Sequence, residues 1–74
     1  MDNKKQITIV FSKKFYSMES IKKTILAYKK FGQFSVKEEK NYIKVNIINP
    51  EKKIKDIIKD EFSNYVLAET KNEL

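Results

Sequence analysis

The chain has 74 residues, with sixteen basic side chains against ten acidic ones, a net charge of +6 at pH 7, and neither cysteine nor histidine. That length predicts a single thin domain over 1–74, burying only about 60% of its unfolded surface, with no disulfide or thiolate metal site to reinforce it. Without His or Cys, most zinc, general-base and nucleophilic arrangements are excluded, and the single glycine, Gly32, excludes a Gly-rich phosphate loop.

All the basic residues are lysines. Arginine is the usual bidentate reader of phosphate and guanine, so the charge speaks less for nucleic acid than its size suggests. It is read either as a solvated lysine surface or as a field for an anionic partner. The first residues are polar and charged, unlike a signal peptide, and no apolar run approaches the roughly 18 residues of a membrane span. A cytoplasmic protein with no membrane segment is expected, with residues 1–5 and 72–74 frayed.

In chain order, residues 6–12 alternate as a strand, with Ile7, Ile9 and Phe11 on one face. The connection 13–16 is expected to tuck Phe15 beneath it. Ser17 suits an N-cap, Glu19 the positive first turn, and Tyr16 and Ile21 the two positions of a hydrophobic staple. A helix is predicted over 18–31, ending at Gly32 as a left-handed terminator. Its inner arc holds Met18, Ile21, Ile25 and Tyr28, and Lys22, Lys23, Lys29 and Lys30 form a basic flank with Leu26 in their midst. Leu26 is either an ordinary exposed leucine or a contact residue for an acidic amphipathic partner.

Residues 33–37 and 42–48 read as strands joined by the polar turn 38–41, an antiparallel hairpin. Asn49 then reads as an N-cap and Pro50 as the first residue of a second helix running to about residue 71. Ile54, Ile57, Ile58, Phe62, Tyr65 and Ala68 share one face of it. Glu61 intrudes near that arc and Leu67 points off it, either as boundary packing or as a second contact surface.

The order is therefore βαββα, an α+β fold. A crossover through the first helix is read as placing strand 1 parallel to strand 3, for a sheet order of 2-3-1 with both helices on one face. Strands 1 and 2 are then open edges, which proteins protect or use.

The text YSMESIKKTILAYKKFGQFSV, the strand IKVNII and the run EFSNYVLAET together resemble the small D protein of the His-Xaa-Ser peptide-maturation system. The matching positions are Tyr16, Ser17, Glu19, Ile21, Ala27, Tyr28, Phe62, Asn64, Glu69 and Thr70. The leucine- and arginine-rich text of that family between its F-x-N and E-T elements is missing. What the resemblance implies is a non-enzymatic accessory protein, working beside a radical S-adenosylmethionine enzyme on a ribosomally made precursor peptide. It implies no cofactor or metal on this chain. A peptide could add to an open sheet edge near Lys22, Lys23, Leu26, Lys29 and Lys30. Asn64 and Glu69 are either structural hydrogen-bonders or an enzyme-docking pair. The rival readings are a single-stranded RNA-binding module using Tyr42, Lys37 and Lys44, a small subunit of an RNA-modifying assembly, which the element order resembles, and a homodimer through identical edges or apolar patches.

Overall fold

The computed structural model describes residues 6–72. Its elements are β1 (Gln6–Ser12), α1 (Met18–Tyr28), a single 3-10 turn (Lys29–Phe31), β2 (Gln33–Glu38), β3 (Tyr42–Ile48) and α2 (Ile58–Asn72). The expected fraying of 1–5, 73 and 74 lies outside the described residues, while Asn72, expected to fray, belongs to α2.

The sheet order is β1-β3-β2, so β3 is central and β1 and β2 are the edges, as expected. The predicted parallel pairing of strands 1 and 3 is wrong: β1 and β2 both run antiparallel to β3. The reason is topological. The β1–α1–β2 crossover makes the two edge strands parallel to each other, and the hairpin then returns β3 between them in the opposite sense. β3 takes the centre because its inward residues are the most apolar: Ile43, Val45 and Ile47 are wholly buried.

Across the sheet, Ile7–Ile47–Phe34 and Ile9–Val45–Val36 form apolar rows on the inner face, and Phe11–Ile43 continues the pattern toward Glu38. Both helices cover that face through Ile21, Ile58, Phe62 and Val66. Phe62 joins every layer: its ring lies 5.4 Å from Phe34, 5.9 Å from Tyr28 and 6.1 Å from Phe11.

The α1 start follows the sequence reading. Ser17 accepts a hydrogen bond from the Ser20 amide at 3.0 Å, and Tyr16 packs edge-on against Phe11 at 5.0 Å. The buried arc is rotated toward Ser20 and Thr24, which are fully buried. Thr24 meets the demand of its own hydroxyl by donating to the Ser20 carbonyl at 2.8 Å. Phe15 is not tucked away; it is 68% exposed.

The second helix does not start at Pro50. Asn49 is no N-cap, since its φ of 50° is left-handed and swings the chain aside. The Glu51 amide then donates to the Phe31 carbonyl at 2.7 Å, which ties this segment to the end of α1. The 50–57 segment proceeds by turns, with the amides of Ile54 and Ile57 each donating to the carbonyl three residues back. α2 starts eight residues later, and its buried residues are Ile58, Phe62 and Val66, while Ile57, Tyr65 and Ala68 are on the surface.

Gly32 does not terminate a helix in the left-handed region either; its φ of 167° is extended backbone. Its role is close approach, because a Cβ there would lie 3.2 Å from the Pro50 Cα. Gly32→Ala is expected to lower stability by about 1–2 kcal/mol, read in a urea melt, because the neighbour is backbone and cannot swing away. Phe62→Ala removes the ring shared by three elements and is expected to cost about 3–5 kcal/mol. For a domain this small, calorimetry should then show no cooperative unfolding transition at 37 °C.

Candidate docking surface

α1 presents its lysines outward because its buried arc consumes Ser20, Ile21 and Thr24. Lys22, Lys23, Leu26, Lys29 and Lys30 are all exposed, with Leu26 66% open to solvent among the charges. Lys23, Ala27 and Lys30 follow one another at helical steps and share an edge of this face.

That edge borders a hollow of about 380 Å³ between the end of α1 and the start of α2. Ala27, Tyr28 and Phe31 form one wall, Ile54, Ile57 and Tyr65 the other, and Lys30 and Glu61 close its rim. The tyrosine rings meet edge-on at 5.6 Å, and Lys30 Nζ lies 5.2 Å above the Phe31 ring. Ile57 is 53% exposed although strongly apolar. It was missed as a surface residue because a continuous helix from residue 50 would have turned it inward. The one sequence signal for this hollow was Glu61, out of place beside an apolar arc.

Tyr28 is the group whose chemistry the hollow alters. Burial, then the Glu61 carboxylate, then Tyr65 raise its phenol above the ordinary value of 10.0. At the far end of α1, Glu38 accepts from Lys13 at 2.7 Å. The Lys13 hydrogen bond and charge, helped by Lys22, hold the Glu38 carboxyl below its ordinary value. Lys22 therefore acts toward the end of β2, while Lys30 acts on the hollow.

Asn64 and Glu69 are not brought into this surface: Asn64 is exposed and Glu69 half-buried, both on α2, and neither lines the hollow. Thr70 places its Oγ1 in the interior with no hydrogen-bond partner among the described residues. A second, more polar hollow of about 400 Å³ lies at the start of β1, lined by Gln6, Ile7, Pro50, Lys55 and Asp56. On the sheet face away from the helices, Lys44 sits opposite both Val10 and Lys37, and Asn46 Oδ1 accepts from Gln6 and Thr8 at 3.1 and 2.8 Å. Among the described residues there is no cluster of three or more His, Cys, Asp or Glu able to hold a metal ion, and no helix long and apolar enough to cross a membrane.

Comparison with known proteins finds no matching family model, no matching curated protein and no matching solved structure.

The Tyr28 shift has a definite sign. A raised phenol pKa favours the neutral ring in the fold, so its contribution is complete below the unfolded value and is lost as pH rises through the folded one. Ultraviolet titration should show a tyrosine phase above the ordinary value of 10.0, and Tyr28→Phe should remove that phase.

Proposed function

We propose that this chain is a non-enzymatic adaptor that takes an acidic amphipathic segment into the hollow between α1 and α2. The observation carrying this reading is an apolar cleft, with Ile57 and Tyr65 open to solvent, beside a lysine-bearing helix face. An amphipathic helix would lay apolar side chains over Ile57 and Tyr65 and acidic ones over Lys23 and Lys30. Charge complementarity of this sort sets approach rate and partner choice, while the apolar contact supplies the affinity. The family likeness narrows the partner to a precursor peptide or a radical S-adenosylmethionine enzyme, in the cytoplasm. The chemistry would then belong to that enzyme.

A second reading rests on the open sheet face, where Tyr42 is partly exposed near Lys44 and Lys37. A single-stranded RNA could stack on Tyr42 and run its backbone along those lysines. One aromatic is a small platform, and the lysine-flanked cleft is the better-formed site.

Titration of a fluorescently labelled acidic amphipathic peptide separates the two. Binding should weaken with added salt and fall about tenfold or more in each of Ile57→Glu and Lys30→Glu. Absence of binding by any acidic amphipathic peptide, alongside RNA binding that is lost in Tyr42→Ala, would move the function to the sheet.

A further inference from the structure

Edge strands are normally blunted by charge, proline, a bulge or a covering element. β1 has none of the first three. Its sequence, QITIVFS, carries no charged residue, no proline and no glycine. Its register with β3 runs without a break from Gln6↔Ile48 to Ser12↔Tyr42. β2, the other edge, ends in Lys37 and Glu38, each held in an ion pair.

The ladder shows which main-chain groups of β1 point outward. The Lys13 amide donates to the Asn41 carbonyl, and in an antiparallel pair inward and outward groups alternate. The odd-numbered residues of β1 therefore bond to β3, and Gln6, Thr8, Val10 and Ser12 aim their main-chain groups away from it. The β2 side agrees, because the Glu39 amide donates to the Tyr42 carbonyl and assigns the even residues of β3 to β2. The Ser12 carbonyl already accepts from the amides of Phe15 and Tyr16.

The geometry points to a second copy of this chain as the occupant of that edge, paired β1 to β1 about a two-fold axis through Ile9. This register is self-complementary. Thr8 exchanges both main-chain bonds with Val10 of the partner subunit, and symmetry repeats the exchange. On the helix side, Ile9 meets Ile9 of the partner subunit, and Ile7 meets Phe11 of the partner subunit. No charge of β1 faces another. The result is one six-stranded antiparallel sheet with four helices on one face.

A second observation fits the same occupant. Phe15, 68% exposed, stands just beyond the last residue of β1. The hollow lined by Gln6, Ile7, Pro50, Lys55 and Asp56 stands at its first. Antiparallel pairing sets the two ends side by side, so each copy offers its Phe15 to the other's hollow. An extended acidic peptide would find no lysine on β1 to select it, whereas a second β1 matches it residue for residue. Because each copy carries +6, screening by salt should strengthen this association, the reverse of its effect on the acidic-peptide cleft.

Sedimentation equilibrium of the full chain, with and without added salt, is the test. A dimer that tightens with salt is expected. Thr8→Pro deletes an outward amide and leaves the β3 ladder whole, and Phe15→Glu empties the hollow without touching the strand. Each should weaken dimerisation tenfold or more while circular dichroism stays unchanged. Hydrogen exchange on the wild type should show the Thr8 and Val10 amides protected in the dimer. A chain that stays monomeric up to roughly 1 mM, the weak end of specific association, would overturn the inference. So would a dimer that survives both substitutions, or one whose Thr8 and Val10 amides exchange freely. None of these results would bear on the peptide cleft.

Discussion

The structure depends on one ring. Phe62 reaches from α2 to Phe11 on one sheet edge and Phe34 on the other, and touches Tyr28 of α1 on the way. A three-stranded sheet is too narrow to hold two helices by area alone. In a domain where burial barely exceeds chain entropy, a residue contacting three elements couples their folding. The aliphatic residues of β3, fully enclosed, form the floor on which it rests.

The same shortage of interior shapes the surface. Apolar side chains that a larger domain would enclose are here left outside: Ile57 and Tyr65 at the α1–α2 cleft, Leu26 among the lysines of α1, and Val10 on β1 with Phe15 just beyond it. Isolated exposed hydrophobes are ordinary. These fall into two groups, and each group adjoins a hollow or an unpaired strand. The lysines divide them, standing beside the first group and missing from β1. Their placement favours an anionic partner at the cleft and a neutral one at the edge.

The 50–57 segment connects the two regions. Its path is set by the left-handed Asn49, the Glu51 amide bound to Phe31, and the close contact of Pro50 with Gly32. It contributes Ile54 and Ile57 to the cleft, and Pro50, Lys55 and Asp56 to the hollow beside β1. A chain that had gone straight into a helix at Pro50 would have neither.

Local chemistry alone determined the order of elements, the Ser17 cap, the inward residues of all three strands and the exposed lysine flank with Leu26. These follow from periodicity and capping, which act within a few residues and are written in neighbouring side chains. Only tertiary structure decided the direction of β1 against β3, because that depends on which strands a crossover joins. Tertiary structure likewise decided where α2 begins. Asn49 and Pro50 suit a helix start, but the next residue, Glu51, bonds its amide to Phe31, twenty residues earlier in the chain, and the segment proceeds by turns. In the turns that follow, Ile57 stays exposed and lines the cleft, while Val66 joins the buried face of α2.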